Sequence, residues 1–440
     1  MPPSILLGQA GKYARWTQGE RSSHVEKAGI NLENVKRNNR SAILKLLNAR
    51  GSMSRKDIAA ALGLTPATVT LISNELLAAG VLHELGEMQE SPRAGRKKIL
   101  LGINYKCRNV LCISIEADRT CLTVSDLHGD VIAKRKVCTD TAMEPEQFLH
   151  QIADESRILM WEHNILKDSI LGVGVSVPGP VDRKTGLSRS AYHVWDKPVQ
   201  VSSILFELLH YPVYVSNNVI AFAEAGLLYG EGLRAENVLF LKWGPGVGCA
   251  LVLRNEVYEG VSRKAAEIGH VRVQKDGSPC RCGRRGCLET VASAHAVAQA
   301  VQQICTPEKT PRLWSFVQGD PERIQAANIN QWINCGDAAM WQVLDGVIEK
   351  ITEVLSGAMT LFAPDKVVLY GEMFELPEFQ QRFLRQCSQY DPAYNSSMIT
   401  MSSLRDKLDY IGPMAVVANE LFFSGRAAVS ALRSRQETGD

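Results

Sequence analysis

Three thiols crowded into one short run constrain this chain more than any other feature. Cys280, Cys282 and Cys287 lie in Cys280-Arg281-Cys282-Gly283-Arg284-Arg285-Gly286-Cys287, and His270 precedes them by one short segment. Three sulfurs and an imidazole make a closed tetrahedral donor set for zinc. No position is left for water, so the expected ion is structural rather than hydrolytic. Gly283 and Gly286 let the chain fold back so that the sulfurs converge. Arg281, Arg284 and Arg285 offset thiolate charge. The alternative, three separate core cysteines, fits poorly with a polar, glycine-rich segment. The chain has 11 cysteines. Without an export signal at its start, that odd number reads as reduced thiols plus a metal site, not as a disulfide framework.

The 440 residues carry a net charge of +2 that hides an asymmetry. Residues 1–100 hold 15 Lys and Arg against 8 Asp and Glu, and the remainder holds 34 against 39. A basic front suits a polyanion, and the mildly acidic body must do something else. Residues 1–28 have no periodicity and read as a flexible arm. From Leu32 the pattern is helical, with Val35, Ala42, Ile43, Leu46 and Leu47 at helical spacing and Gly51 as the stop. Ser54 opens a second helix with Asp57 as its capping partner. Gly63-Leu64 is a tight turn. Thr65 then caps a third helix, with Pro66 at its first position, that ends at Gly80. Helix, glycine turn and capped helix form the helix-turn-helix pattern.

On the third helix, Val69, Ile72 and Leu76 share the inward face. Ala67, Thr70, Leu71 and Asn74 share the opposite one. Ala67 and Leu71 suit a thymine methyl, Thr70 a base or phosphate, and Asn74 an adenine edge. Arg55 joins them as a DNA contact. Residues 81–85 and 98–101 read as two strands of a wing. Between them Arg93, Arg96 and Lys97 place positive charge beside Gly95, suited to phosphates or a narrow minor groove. The alternative is a small helical dimerisation module with a solvated basic loop. The expected partner is operator DNA.

Beyond Lys106 the pattern alternates between strands and helices to about residue 258, which is an α/β pattern. A polar, irregular stretch covers 262–288. Helices dominate after Glu289, interrupted by a buried-type strand at Lys366–Tyr370. There is no internal repeat of short period. No apolar run of about 18 residues occurs, so a membrane span is excluded and a cytoplasmic location is expected.

The stretch Glu267-Ile268-Gly269-His270 followed by Cys280-x-Cys282-Gly283-x-x-Gly286-Cys287-x-Glu289 resembles the signature of the ROK family of repressors, open reading frames and sugar kinases. Val177-Pro178-Gly179-Pro180-Val181-Asp182 is similar to that family's sugar-side loop, and Gly244-Pro245-Gly246-Val247-Gly248 to its second phosphate loop. Residues 31–98 are similar to the winged helix of the repressor branch. The resemblance implies a winged helix-turn-helix at 29–103. Behind it, at 104–440, comes a two-lobed, actin-like, sugar-kinase-like body for effector binding and oligomerisation, as a homodimer or homotetramer. It implies release of operator DNA on binding a sugar, a sugar derivative or a signalling protein.

The same resemblance implies that the kinase machinery is damaged. Where the family's kinases carry Asp-x-Gly-Gly-Thr to cradle ATP phosphates, this chain has Glu116-Ala117-Asp118-Arg119-Thr120, which repels a triphosphate and lacks the glycines for close approach. The general base of an Asn-Asp pair is Asn218 in Asn217-Asn218, and an amide cannot take a proton from a hydroxyl at neutral pH. Pro245 replaces a threonine, and a late Gly-Gly is Gly371-Glu372. The sugar side is kept: Glu267, His270 and Glu289, with Asn217, Asn218, Pro178, Gly179 and, near a family asparagine, His193. Glu267 and Glu289 could instead support the metal site. The implied function is a sugar-responsive regulator of carbohydrate-metabolism genes, a repressor without enzymatic activity. The alternatives are control by a protein partner, or an active ATP-dependent sugar kinase with an added DNA-binding unit.

Overall fold

The computed structural model describes residues 32–88, 98–260 and 265–424. The chain starts with α1 (Leu32–Arg50), β1 (Met53–Ser54), α2 (Arg55–Leu62), α3 (Pro66–Ala78), β2 (Leu82–Met88) and β3 (Lys98–Ile103). The three strands form one antiparallel sheet in the order β1-β3-β2. Ser54 Oγ accepts the Asp57 N–H and caps α2; Thr65 Oγ1 accepts the Thr68 N–H and caps α3, with Pro66 at its start. Gly63 ends α2 at φ 64°, a left-handed conformation that costs glycine little. Val69, Ile72 and Leu76 are buried, as their spacing predicts, against Ile43, Leu44 and Leu47 of α1. Val35, assigned to the same stripe by periodicity, is 41% exposed, because the packed part of α1 begins later along the helix.

The body consists of two lobes with one topology used twice. In the first lobe, β4 (Asn109–Ile115), β5 (Arg119–Asp126) and β6 (Val131–Cys138) form an antiparallel meander, followed by α4 (Pro145–Glu162) and β7 (Ile170–Val177). A small sheet of β8 (Val181–Asp182), β9 (Leu187–Ser188) and β10 (Val199–Gln200) precedes α5 (Val201–Leu209) and β11 (Val213–Asn217). The strand order is β11-β7-β4-β5-β6, with β4, β7 and β11 parallel. Helix α6 (Asn218–Tyr229) leads to the second lobe, whose meander is β12 (Val238–Trp243), β13 (Val247–Leu253) and β14 (Glu256–Val257). Four helices follow: α7 (Glu289–Ala292), α8 (Ala294–Ile304), α9 (Pro311–Phe316) and α10 (Ile329–Trp332). Then come α11 (Ala338–Phe362), β15 (Lys366–Tyr370), α12 (Pro377–Tyr390), β16 (Ile399–Met401) and α13 (Ile411–Val417). Its order, β14-β13-β12-β15-β16, repeats that of the first lobe, with β12, β15 and β16 parallel. The duplication lies in topology and was invisible as sequence similarity.

Glycines at matching places confirm the correspondence. Gly179, just past β7, has φ 110°, and Gly371, just past β15, has φ 104°. A Cβ on Gly179 would lie 2.6 Å from Ser190 O, and one on Gly371 2.4 Å from Trp243 O. Each lobe therefore needs glycine where its fourth strand turns toward the cleft. Helices α6 and α13 pack between the lobes; a Cβ on Gly412 would sit 3.1 Å from Ala221 C. The apolar core of α1–α3 is continuous with the core around α6 and α13. Asn48 of α1 donates to the Leu228 carbonyl at 2.6 Å and accepts from Tyr105 Oη at 2.7 Å.

Candidate functional site

The cysteine segment folds back as its glycines predict. Gly283 has φ 84° and Gly286 φ 69°, and a Cβ on Gly286 would lie 1.8 Å from Gln274 O. Backbone bonds from Cys280 N to Arg284 O (2.7 Å) and from Gly286 N to Ser278 O (2.9 Å) close the loop. The donor atoms of His270, Cys280, Cys282 and Cys287 lie within 4.8 Å of one another. His270 Nδ1 is 3.5 Å from Cys280 Sγ, and Cys282 Sγ is 3.6 Å from Cys287 Sγ. Around an ion with Zn–S of about 2.3 Å and Zn–N of about 2.0–2.1 Å, tetrahedral ligands stand roughly 3.5–3.8 Å apart, so the cluster has the dimensions of a metal site. Burial opposes ionisation of Cys282, but the Arg284 Nε–H on its sulfur at 3.4 Å and the neighbouring thiols outweigh it and bring the thiol down to about 6. Arg281 points elsewhere: its guanidinium lies 2.8 Å from His193 Nδ1.

Nδ1 of His270 faces the thiols, which leaves Nε2 on the other side of the ring. The Tyr192 ring stands edge-on to the His270 ring, with centroids 6.5 Å apart. Tyr192 also feels Glu267 and Glu289; burial, with these carboxylates, pushes its phenol up to about 12. Glu267 follows Ala266 at φ 58°, a left-handed conformation rare outside glycine. Gly269 is required because a Cβ would lie 2.2 Å from Val247 O. Glu289 Oε2 accepts the Val247 N–H at 3.4 Å and is 2.9 Å from where a Gly246 Cβ would stand. The two glutamates, His270 and Tyr192 thus gather around the β12–β13 turn.

The adjoining end of α6 forms the floor. Asn217 Oδ1 accepts from Val219 N (2.9 Å) and Ile220 N (3.3 Å), and its Nδ2 donates to Gly179 O (2.9 Å). Asn217, expected to bind hydroxyls, is committed to capping α6 and holding the Pro178-Gly179 loop. Tyr192 N donates to Pro178 O (2.9 Å) on the loop's other side. Asn218 Nδ2 donates to Glu116 Oε1 at 2.8 Å, and Lys242 Nζ lies 3.4 Å from the same oxygen. Lys242 and Gly248 are opposite partners in the β12–β13 hairpin, and a Cβ on Gly248 would lie 2.8 Å from a Val219 methyl. The Glu116 network and Glu289 therefore flank a single short hairpin. Glu372 joins from the β15 side: burial raises its pKa, and Arg119 and Lys242 act against that rise.

His193 is exposed, sits at φ 64° and has its Nδ1 against the Arg281 guanidinium. The preceding residue, Tyr192, is the one that feels Glu267 and Glu289. On α3, Ala67, Thr70, Leu71 and Asn74 are all exposed, Leu71 to 58%. Thr70 Oγ1 donates to Pro66 O at 2.8 Å, which leaves its lone pairs for a ligand. Arg55 spans Asn74 Oδ1 (3.4 Å) and Glu84 (3.1 Å), so Asn74 and Arg55 share one surface. Arg93, Arg96 and Lys97 lie outside the described residues.

Residues 110–420 match the ROK family, and residues 36–82 match winged helix-turn-helix DNA-binding. This chain belongs to the ROK family. Among its ROK relatives is a xylose repressor of Caldicellulosiruptor bescii, 25% identical over 393 residues, 88% of this chain and 97% of that protein. The DNA-binding transcriptional dual regulator NagC of Escherichia coli is 25% identical over 396 residues, 88% and 94% of the two chains. A solved ROK family transcriptional regulator, a homologue of the E. coli MLC protein, superposes with a TM-score of 0.75 at 22% identity, covering 91% of this chain and all of that one. A ROK family glucokinase from Streptomyces griseus, solved with glucose and AMPPNP, superposes with a TM-score of 0.59 at 22% identity, over 70% of this chain and 98% of that one. The ROK fold therefore holds for the body, with a winged helix in front. The ROK motifs pointed to the glutamates and the histidine. They did not point to Tyr192 or Lys242, whose only sequence signals were adjacency to His193 and a single cation in an apolar strand.

Proposed function

We propose that this protein is a DNA-binding transcriptional repressor whose two-lobed body binds a sugar or sugar derivative and has no phosphotransferase activity. The observation that carries this reading is the contrast within one cleft, behind a winged helix. Glu267, His270, Glu289 and Tyr192 offer directional hydrogen bonds to a polyol, whereas carboxylates occupy the nucleotide side. The names of the relatives, a xylose repressor and an N-acetylglucosamine repressor of E. coli among them, support it. His270, Cys280, Cys282 and Cys287 would hold zinc, which supplies cross-linking of an otherwise irregular loop. Residues 29–103 serve as the DNA-binding unit and 104–440 as the effector and oligomerisation unit. In a homodimer or homotetramer two recognition helices meet successive major grooves, roughly 34–36 Å apart. Sugar binding between the lobes shifts them and spoils that spacing.

Fluorescence anisotropy on a duplex selected from random sequence tests the reading. Binding should weaken when the effector sugar is added, and operator affinity indifferent to every sugar tried would refute it. Asn74→Ala should cost about 1–3 kcal/mol of discrimination at one base pair, read from the same titration on single-base operator variants. A coupled ATPase assay over the same sugars should stay at the blank rate.

A further inference from the structure

We infer that the effector of this cleft is an uncharged sugar, and that Glu116 is the residue that turns phosphorylated sugars away. The inference rests on the sugar-binding reading above and narrows it to a chemical class.

Glu116 sits in the turn between β4 and β5, closed by its own N–H on Arg119 O at 3.0 Å. Its side chain is 29% exposed and reaches across to Asn218 and Lys242. A carboxylate accepts only, so the Asn218 amide must present its Nδ2 to Glu116. That leaves the Asn218 carbonyl oxygen as the acceptor beside the cleft. A sugar hydroxyl can donate to it. A phosphate dianion has only acceptors and cannot.

Charge points the same way. Among the described residues, the site around the β12–β13 turn holds three carboxylates, Glu116, Glu267 and Glu289, against one ammonium, Lys242. That ammonium is already paired with Glu116. Arg119, whose field reaches Glu372 together with that of Lys242, is paired with Asp118 at 2.8 Å and lies 3.9 Å from Asp409. A phosphate ester carries about −1.5 to −2 charges at neutral pH. A ring placed on Glu267 and Glu289 brings any substituent that reaches Asn218 against the Glu116 carboxylate. A hydroxyl fits there, and a phosphate meets like charge, with Lys242 and Arg119, the cations placed beside it among the described residues, both already paired.

Isothermal titration calorimetry on the full chain tests this. The probes are D-xylose, D-glucose and N-acetyl-D-glucosamine, with glucose 6-phosphate and N-acetylglucosamine 6-phosphate as the charged arm. The expected result is that a neutral sugar binds and its phosphate ester binds at least tenfold more weakly. Because the effect is Coulombic, the wild-type ratio should shrink as salt rises from about 50 to about 500 mM. Glu116→Gln, which keeps the shape and a carbonyl acceptor for Asn218, should reduce the ratio several-fold. If that variant fails to fold, the wild-type salt series decides. A phosphate ester that binds wild type as tightly as its parent sugar overturns the inference and leaves the sugar reading intact. Full discrimination retained in folded Glu116→Gln, or a ratio indifferent to salt, also overturns it. A blank neutral arm removes the sugar reading itself and this inference with it.

Discussion

The two lobes place their meander turns at equivalent positions, and the two turns carry opposite chemistry. The β12–β13 turn of the second lobe is Gly244-Pro245-Gly246, with backbone open to neighbours: Val247 N–H meets Glu289, and Gly244 O accepts from Ala294 N at 2.9 Å. The β4–β5 turn of the first lobe is Glu116-Ala117-Asp118-Arg119, and its side chains fill the space that glycines would leave. One scaffold position can thus be a backbone cradle or a cluster of charges, and glycine content decides which. The loops after β7 and β15 differ in the same way. Both keep a glycine with φ above 100°, but Gly179 is followed by Pro180 and Gly371 by Glu372.

The largest expected effect tests whether the sugar side depends on the metal cluster. Cys287→Ser removes a buried donor. Zinc content by mass spectrometry should fall from one per chain to none, and Tm should drop by about 10 °C, in keeping with the large folding free energy of structural zinc. Second, Glu289→Gln should weaken the effector by about 1.5–3 kcal/mol, roughly tenfold to a hundredfold, since a bond to a charged group is lost. Calorimetry measures it, and unchanged affinity would place the polyol elsewhere. Third, Lys242→Met should lower Tm by only a few degrees, because a partly exposed pair contributes about 0–1 kcal/mol. Its larger consequence should be stronger rejection of phosphate esters. Last, Asn218→Asp should leave ATP turnover at zero. Restoring one carboxylate does nothing about Glu116 at 2.8 Å or the absent glycines.

Much of this arrangement could be read from the chain. Helix caps at Ser54 and Thr65, the phase of Val69, Ile72 and Leu76, and the donor set of His270 with three cysteines are local patterns, set by spacing within a few turns. The wing strands and the meander of β4, β5 and β6 were legible for the same reason. The lobe duplication was not, because strand order depends on pairing between distant segments and leaves no period in the residues. The pairing of His193 with Arg281 depends on a distant loop, and the commitment of Asn217 turned on where the Gly179 carbonyl arrives. Lys242 in β12 looked like an ordinary strand residue; only the partner facing it from the other lobe gives it a role. Short β16 escaped notice because its 3 residues lack a pattern long enough to register.

Helix α6 gives the shared core between α1–α3 and the body a mechanical meaning. Its first residue, Asn218, is tied to the cleft floor, and the carbonyl of Leu228, near its last turn, is held by Asn48. Twelve residues of helix make a rod of about 18 Å. The winged helix is therefore bolted to the far end of a rod whose near end stands on the Glu116 network. On the proposed function, a tilt of a few degrees at Asn218 should arrive at the winged helix as a sideways step.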